Sequence, residues 1–209
     1  MGNKILYVVK NYKCFVVSLL ALVIFIVILI NVLNGNVSGF DATIYNAINA
    51  LKCNFMTGFF KAITRFGDEE ILITIAIICL IFIKNRKIGG IIAINLVSVG
   101  LLNHILKEIV QRQRPPLELR MVEESSFSFP SGHAMASLAF YGLIIYFISK
   151  KAKNKNIACI SLSLLIFLVG ISRIYLGVHY ASDVLAGFLI SIVYLTLYIT
   201  FVIKLFKIN

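Results

Sequence analysis

The amino-acid sequence predicts an all-α integral membrane protein: a bundle of six transmembrane helices, with a short amphipathic helical segment between the first and second spans. Hydrophobic residues make up 60% of the chain and charged residues only 14%, whereas a soluble domain carries about 25% charged residues. Six apolar stretches approach the roughly 20 residues that a helix needs to cross a bilayer. They leave no room for a second domain, so we expect residues 1–209 to form one domain.

The first apolar stretch, Cys14–Leu33, predicts the first span. It is longer than the apolar core of about 7–15 residues in a signal peptide, and it ends in an asparagine-rich turn at residues 31–36. Over residues 34–70, apolar residues recur at helical spacing, which predicts an amphipathic helix near the membrane interface. The recurring residues are Ile44, Ile48, Leu51, Phe55, Phe59 and Ile63.

The remaining spans are expected at residues 71–83, 88–110, 131–148, 157–172 and 182–203. The span at 71–83 is short, and its helix is expected to begin in the acidic cluster at 68–70. Polar residues in the second half of 88–110 indicate that one side of this helix faces the bundle. Pro115 and Pro116 must end it, because proline lacks the amide hydrogen that a helix interior needs.

The distribution of charge predicts the orientation of the bundle. With the amino terminus in the cytoplasm, the cytoplasmic segments 1–13, 84–87, 150–155 and 204–207 hold 12 of the 20 Lys and Arg residues and no acidic residue. The opposite side holds all nine acidic residues. This positive-inside pattern puts both termini in the cytoplasm and the loop around 107–131 on the outer face. The net charge of +11 is then a topology signal and a contact for anionic lipids, so nucleic acid is not an expected partner.

The four cysteines are scattered along the chain, at Cys14, Cys53, Cys79 and Cys159. No two of them form a CxxC pair. We therefore expect small apolar side chains rather than metal ligands or a disulfide framework.

The densest group of ionisable residues is Ser172–Asp183, between two apolar stretches. Ionisable groups at membrane depth are costly, so each needs a partner or a task. Asp183 follows His179 by four residues, which places both on one helix face, and a carboxylate beside an imidazole makes it a base or a nucleophile. Arg173 suits bidentate binding of phosphate, and Gly177 lets the chain bend. The alternative is a structural Arg–Asp pair with a spectator histidine.

Lys107 and Arg114 form a second polar group on the same predicted face. They are seven residues apart, or two helical turns, so both cations point the same way if the helix continues that far. The alternative is a pair of side chains that snorkel to the membrane interface.

The third polar group is Pro130–His133, at the start of the fourth predicted span. Ser131 can cap the helix, and Gly132 lets backbone N–H groups approach an anion. His133 is then placed to exchange a proton; the alternative is a polar contact with the backbone. Together the three groups offer three cations, a helix start, two histidines and a carboxylate, which suit phosphoryl transfer by positioning and charge stabilisation.

These groups form three ordered motifs: Lys107 followed after six residues by Arg114-Pro115; Pro130-Ser131-Gly132-His133; and Ser172-Arg173 followed after five residues by His179 and after three more by Asp183. In order and without departure, they resemble the motifs of the type 2 phosphatidic acid phosphatase superfamily. Six spans fit its membrane branch over nearly the whole chain. The composition excludes the soluble haloperoxidase branch, which shares the pocket.

The resemblance implies a role for each motif residue. His179 would attack phosphorus to form a phosphohistidine, Asp183 would orient its ring, and His133 would protonate the leaving oxygen and then activate water. The phosphoryl oxygens would be bound by Lys107, Arg114 and Arg173, with further hydrogen bonds from Ser131 and Gly132. No metal and no other cofactor is expected, because the cations neutralise the phosphate.

Further expectations concern the protonation of His133 and the roles of four residues near the motifs. Nearby cations disfavour the imidazolium form of His133, although a general acid must be protonated. The bound dianionic substrate would have to favour that form, so we expect a bell-shaped or acid-leaning pH profile. His104 and Arg112 lie outside the motifs, and for His104 we expect a buried polar contact. Glu123 and Glu124 are expected to solvate the outer loop.

The first hypothesis is a membrane lipid phosphatase whose site opens on the outer face. Compact bacterial members of the family that this sequence resembles act on undecaprenyl diphosphate or phosphatidylglycerophosphate. These two lipids are therefore the first candidate substrates, and phosphatidate is a third. An outward site fits recycling of the undecaprenyl carrier. Phe127 and Phe129 are candidates for lining an acyl entrance.

Two alternatives stay open at this stage. One is a lipid phosphotransferase that uses the same histidine but needs an acceptor pocket. The other is a non-catalytic transporter of anionic lipids, which has no need for a nucleophile with an orienting carboxylate. The sequence indicates neither the lipid tail nor an oligomeric state.

Overall fold

The computed structural model describes residues 2–151 and 155–206, and residues of the predicted basic segments at 1, 152–154 and 207 lie outside these ranges. The described residues form eight α-helices and no strand, so the all-α prediction is confirmed for them. The helices are α1 (Gly2–Leu33), α2 (Ser38–Asn49), α3 (Asn54–Thr64), α4 (Glu69–Phe82), α5 (Arg86–Val110), α6 (Gly132–Lys151), α7 (Lys155–Tyr175) and α8 (Ala181–Leu205). Short 3₁₀ segments occur at Arg65–Gly67 and Leu117–Leu119.

Five of these helices are long and apolar enough to cross a membrane: α1, α5, α6, α7 and α8. They correspond to five of the six predicted spans. The other predicted span, at 71–83, corresponds to α4, which begins in the acidic cluster as expected. With 14 residues, α4 rises only about 21 Å, so the prediction of six spans is confirmed for five.

The predicted amphipathic segment is divided into two helices, α2 and α3. The break lies at Cys53, whose Sγ accepts the Met56 N–H at 3.5 Å and caps α3. Helix α2 packs on α7 and α8 through apolar residues such as Ile44. Helix α3 packs on α7, where the Phe60 and Tyr175 rings lie 4.6 Å apart. Both helices are thus attached to the bundle, and their location at a membrane interface stays a prediction.

The loops that carry the sequence motifs meet at one end of the bundle, here called the loop end. This end holds residues 111–131, between α5 and α6, and residues 176–180, between α7 and α8. The Met121 N–H donates to the Leu176 carbonyl at 2.9 Å and joins the two loops. The motifs are therefore brought together although up to 76 positions separate them in the sequence, from 107 to 183.

The close contact between the two loops depends on Gly177. Its φ is +70°, and a Cβ there would lie 2.0 Å from the Leu119 carbonyl oxygen. Only glycine satisfies both conditions without strain. The prediction that Gly177 lets the chain bend is confirmed.

Helix α4 connects the loop end to the opposite end. Just before it, Asp68 contacts His133 in the first turn of α6. After α4 the chain turns into α5, where Arg86 Nη1 donates to the carbonyls of Leu80 and Ile81 at 2.6 and 2.7 Å. Helices α4 and α5 are therefore antiparallel neighbours.

The largest apolar core lies between α4, α5, α6, α7 and α8. Its buried members include Leu72, Ile91, Phe140, Leu143, Ile166 and Tyr198. The Tyr198 hydroxyl donates to the Ile91 carbonyl at 2.6 Å, so its polar atom is satisfied inside the core. Large apolar side chains such as Val23, Val97 and Phe201 remain at least half exposed on the outside, which fits helices surrounded by lipid.

Candidate active site

The three cations predicted to bind phosphate converge at the loop end. Lys107 Nζ donates to Ser126 Oγ at 2.7 Å, and Arg114 Nε donates to the Ser126 carbonyl at 2.6 Å. Arg173 is 2% exposed, and its Nη1 donates to Thr64 Oγ1 at 2.7 Å. The structure thus brings a cation from α5, one from the following loop and one from α7 into a single buried cluster.

A carboxylate from the loop, Glu124, lies between two of these cations. Its Oε2 accepts a hydrogen bond from Arg114 Nη2 at 3.2 Å, and its Oε1 accepts one from Arg173 Nη2. Burial raises the pKa of Glu124, but Arg173 and Arg114 outweigh burial and hold that pKa below its ordinary value. The expectation that Glu124 only solvates the loop is therefore wrong, because it forms ion pairs with two of the three cations.

Arg173 keeps one donor that Glu124 does not use. Its Nε is buried and has no hydrogen-bond partner among the described residues. Buried donors are normally paired, so an unpaired guanidinium N–H beside two further cations favours an anion-binding site.

His179 is buried beside Arg114. Its exposed fraction is 2%, and its Nε2 lies 3.1 Å from Arg114 Nη1. A guanidinium can only donate hydrogen bonds, so Nε2 must be the ring nitrogen without a proton. Burial, followed by the charge of Arg114, lowers the pKa of His179 well below its usual range. The imidazole is thus neutral, with its lone pair directed at the cation cluster.

Asp183 and Ser128 face the other ring nitrogen of His179. The distance from Nδ1 is 3.5 Å to Asp183 Oδ2 and 3.4 Å to Ser128 Oγ. Ser128 in turn donates to Asp183 Oδ2 at 2.5 Å, and the Tyr180 N–H donates to the same oxygen at 2.9 Å. The carboxylate therefore reaches the imidazole both directly and through Ser128, and it favours a proton on Nδ1.

Arg112 and Asp41 hold Asp183 from the opposite side. Arg112 Nη1 donates to Asp183 Oδ1 at 2.5 Å, and Nη2 donates to Asp41 Oδ2 at 2.7 Å. Asp41, on α2, is 4% exposed and also accepts from the N–H and hydroxyl of Ser182 at 2.8 and 2.9 Å. The Arg112 guanidinium lies over the Tyr180 ring, 4.1 Å from its centroid. These residues form an ion-pair chain, Asp41–Arg112–Asp183, that ties α2 to α8.

His133 lies in the first turn of α6 and is paired with Asp68. Its Nε2 lies 2.8 Å from Asp68 Oδ1, and the two side chains are 17% and 40% exposed. The hydrogen bond with His133 lowers the pKa of Asp68 below its ordinary value. The polar contact of His133 is therefore with a carboxylate and not with the backbone.

Ser131 and Gly132 start α6. The Ser131 hydroxyl accepts the Ala134 N–H at 3.5 Å, as expected of a cap, and the Ser131 N–H donates to the Asp183 carbonyl at 3.0 Å. Gly132 is the first helical residue. A direct contact of either residue with phosphate stays a prediction.

Two neighbouring residues differ from their expected roles. His104 is exposed on α5, so the expectation of a buried polar contact is wrong. Phe129 is completely buried, and its ring packs 6.0 Å from that of Phe25 on α1. It belongs to the packing between α1 and α8 and does not line an entrance.

A cavity of about 370 Å³ leads to His179 from the side of α1 and α2. Apolar residues line one part of it, and His179, Arg112 and Tyr180 line the other. The apolar lining includes Val32, Val37, Ala42, Pro115 and Leu119. Such a lining suits a molecule with an apolar tail and an anionic head.

The described residues contain no group of three His, Cys, Asp or Glu side chains placed to hold a metal ion. The four cysteines are free thiols, and two of them, Cys14 and Cys53, are exposed.

Three residues of the site, Asp41, Asp68 and Ser128, were not expected there from the sequence, and no role was predicted for Arg112. One weak signal was present: Asp41 and Asp68 are two of only nine acidic residues, and both lie on the predicted outer side beside apolar helices. Nothing in the spacing connects either residue with a histidine.

The chain is similar to known proteins in sequence and in structure. A family model described as the PAP2 superfamily matches residues 88–207. Phosphatidylglycerophosphatase B of Bacillus subtilis is 35% identical over 176 residues, which cover 80% of this chain and 86% of that protein. Undecaprenyl-diphosphatase of Sulfolobus acidocaldarius is 28% identical over 179 residues, covering 83% of this chain and 84% of that protein.

Among solved structures, the chain is similar to a transmembrane PAP2 type phosphatidylglycerolphosphate phosphatase from Bacillus subtilis. The TM-score is 0.82 at 30% identity, and the match covers 92% of this chain and 98% of the other. The similarity therefore includes the region before residue 88.

Proposed function

This chain belongs to the PAP2 superfamily, and on that premise we propose that it hydrolyses a phosphate or diphosphate monoester of a membrane lipid through a phosphohistidine at His179. The relatives described above are named as phosphatases of lipids, and a lipid phosphatase embedded in the membrane is the function they support. The intermediate, the substrate and the orientation are our proposals.

One observation carries the mechanism: the unprotonated Nε2 of His179 lies 3.1 Å from Arg114 in a cluster that also holds Lys107 and Arg173. A neutral imidazole beside three cations is a nucleophile at a site that attracts a phosphate dianion. A structural Arg–Asp pair would not need the lone pair of a buried histidine to face cations.

The reaction proceeds in two balanced steps. First, Nε2 of His179 attacks phosphorus, the bond from phosphorus to the leaving oxygen breaks, and the imidazolium of His133 gives its proton to that oxygen. Then water attacks the phosphohistidine, the phosphorus–nitrogen bond breaks, and His133 takes a proton from the water. Inorganic phosphate leaves, and His179 is neutral again. Asp183 stabilises the positive charge that develops on the ring.

The substrate phosphoryl group takes the place of the Glu124 carboxylate. Lys107, Arg114 and Arg173 then bind its oxygens, and the amides at the start of α6, near Ser131 and Gly132, add hydrogen bonds. The unpaired Nε of Arg173 supports this assignment. Charge neutralisation by these side chains leaves no step that calls on a metal ion.

The lipid enters through the cavity beside α1 and α2. Its apolar lining suits an acyl or isoprenoid chain, and its polar part ends at His179. We propose undecaprenyl diphosphate and phosphatidylglycerophosphate as the preferred substrates, because two relatives are named for these activities, with phosphatidate as a weaker one.

We further propose that α4 is a sixth membrane crossing and that the loop end faces outward. Helix α4 runs from the Asp68–His133 contact at the loop end to the turn at Arg86 at the opposite end. If α4 did not cross the membrane, the five remaining crossings would put the two termini on opposite sides. Six crossings leave the basic segments in the cytoplasm, in agreement with the positive-inside rule. The interfacial helices α2 and α3 would then lie at the outer surface.

The test is phosphate release by purified protein in detergent with EDTA, using the three lipids side by side. His179→Ala is expected to lower the rate by at least about a thousandfold. His104→Ala is the matched control, because His104 is exposed on α5, and its rate should equal that of the wild type. A radiolabelled phosphoryl group should stay on the wild-type protein after alkaline denaturation and be absent from His179→Ala.

Three results would contradict the proposal. Turnover by His179→Ala would exclude the nucleophile, and loss of activity in EDTA would exclude a mechanism that relies on the cations alone. No release from any lipid would favour a phosphotransferase or a lipid-binding protein without hydrolytic activity.

A further inference from the structure

His133 has a carboxylate partner that none of the sequence motifs contains. Asp68 Oδ1 lies 2.8 Å from His133 Nε2, and the two residues are 65 positions apart. Asp68 stands between the 3₁₀ segment Arg65–Gly67 and α4. The residue that meets the proposed general acid therefore comes from a different part of the fold.

The backbone before Asp68 is closely fitted to α6 and α7. A Cβ on Gly67 would lie 2.8 Å from His133 Cδ2 and 2.8 Å from Val169 Cγ1, so only glycine permits this approach. One residue earlier, the Phe66 carbonyl accepts the Tyr141 hydroxyl at 2.8 Å. The Asp68 carboxylate is thus held in place by its backbone, unlike a surface side chain that meets a histidine by chance.

The contact also determines which ring nitrogen of His133 is available. Nε2 is engaged by Asp68, whereas Nδ1 has no hydrogen-bond partner in the described parts of the chain. An ionised carboxylate only accepts hydrogen bonds, so Nε2 carries a proton. Nδ1 is therefore the atom that can exchange a proton with a substrate.

Charges of both signs surround this pair. Arg173 on α7 and His179 on the following loop lie near His133. The carboxylates of Glu124 and Asp68 supply negative charge near the same ring. Glu124 is itself engaged by two guanidinium groups and is displaced by the phosphoryl group in the proposed reaction. Asp68, which also lies near Arg65 and Arg173, then remains the carboxylate bound directly to the ring.

We propose that Asp68 is a positioning residue for the proton transfer: it fixes His133 with Nδ1 towards the leaving oxygen and stabilises the imidazolium form. This inference rests on the proposed function. When the phosphorus–oxygen bond breaks, the proton moves from Nδ1 to the leaving oxygen, while Nε2–H stays bonded to the ionised carboxylate of Asp68. When water attacks the phosphohistidine, Nδ1 takes a proton from the water and the imidazolium forms again.

The test compares Asp68→Asn with Glu69→Gln, which removes one negative charge from the adjacent exposed residue. Each variant is assayed with a lipid monophosphate, whose alkoxide is a poor leaving group, and with p-nitrophenyl phosphate, whose leaving group needs little protonation. Asp68→Asn should lower kcat about ten- to a hundredfold on the lipid and less than about threefold on p-nitrophenyl phosphate. Glu69→Gln should leave both rates unchanged.

The pH profile gives a second readout. Without the negative charge the imidazolium is less stable, so the alkaline limb of kcat on the lipid should move about one pH unit lower. The acid limb should stay in place. The ratio of the two substrate rates comes from one preparation, so partial unfolding of the variant does not change it.

The possible failures can be told apart. Equal losses of kcat on both substrates would show that Asp68 has only a structural role. An Asp68→Asn variant with the same rates as Glu69→Gln would show that Asp68 has no role in the reaction. In both cases the wild type would still be a phosphatase. A wild type that released no phosphate from either substrate would instead overturn the proposed function.

Discussion

The two histidines of the site have hydrogen-bond partners of opposite charge. His179 is 2% exposed and contacts Arg114, and burial followed by the charge of Arg114 lowers its pKa well below the usual range. His133 is more exposed and is paired with the carboxylate of Asp68. Burial and Arg114 keep the imidazole of His179 neutral, whereas Asp68 fixes which ring nitrogen of His133 carries a proton, so two copies of one residue type are suited to attack and to proton transfer.

The difference extends to the carboxylates. Asp183, on the side of His179, is completely buried and is balanced by Arg112, which is balanced in turn by Asp41. Asp68, on the side of His133, is 40% exposed and depends much less on compensation by a buried cation. The His179 side should therefore be the more sensitive of the two to the loss of a single charge.

Among the residues that surround the two histidines, the largest effect is expected from breaking the ion-pair chain behind Asp183. Arg112→Gln and Asp41→Asn should each lower kcat about a hundredfold, because the carboxylate that orients His179 loses its support. Both residues also line the cavity proposed for the lipid, so KM should change as well, but less than kcat, because neither side chain is assigned to the phosphoryl group. Steady-state kinetics on the preferred lipid measure this split.

The double variant sharpens that result. Because both substitutions remove the same support, Arg112→Gln and Asp41→Asn together should cost no more than about the larger single effect. Lys61→Gln, on the exposed side of α3, is the control for loss of a positive charge. Additive losses would show that Asp41 and Arg112 act separately and would contradict the chain of ion pairs.

A smaller effect is expected from substituting Glu124, which lies between the His179 side and the His133 side of the site. Its carboxylate contacts Arg114, the neighbour of His179, and Arg173, which faces His133. Since these cations keep its pKa below the ordinary value, Glu124 is ionised at neutral pH and competes with phosphate. Glu124→Gln should therefore lower the inhibition constant of inorganic phosphate about tenfold.

Glu123→Gln is the matched control for this measurement, because Glu123 is the exposed neighbour in the same loop. Its inhibition constant should equal that of the wild type. Weaker inhibition of Glu124→Gln by phosphate would mean that the carboxylate helps to shape the site and does not compete with the substrate.

The smallest predicted effect is a shift of the acid limb in the pH profile of kcat/KM. The free enzyme needs neutral His179, and the folded-state pKa of this residue lies well below its usual 6.5. Protonation therefore begins only at more acid pH, so the acid limb of kcat/KM should lie well below 6.5. An acid limb at or above 6.5 would contradict the neutral, cation-bound imidazole.

Much of the site was predictable from the sequence, because its chemistry lies in ordered motifs. Lys107, Arg114, Arg173, His179 and Asp183 were all expected at one site, and the structure brings them together. His179 and Asp183 do lie near each other, but His179 precedes α8, which begins at Ala181, so the two residues do not share a helix face as the spacing predicted. Five of the six predicted spans are likewise helices of sufficient length, because apolar runs of this length have few other stable structures.

The supporting carboxylates could not be predicted in this way. Asp41 and Asp68 both precede residue 88, where the match to the family model begins. Their contacts depend on how α2 and the segment before α4 fold back onto the loop end, and no local periodicity encodes that. Glu124 was misjudged for the same reason: a loop carboxylate has the same local sequence whether it faces water or two buried guanidinium groups.

The shortness of α4 has a consequence for the lipid around it. As a sixth crossing, its 14 residues would span about 21 Å, against a hydrocarbon layer of about 30 Å. In that arrangement the hydrophobic mismatch would draw the two leaflets together beside α4, at whose amino end Asp68 and His133 lie. Lipid head groups would then come closer to the site, and the reaction rate would depend on the thickness of the surrounding membrane.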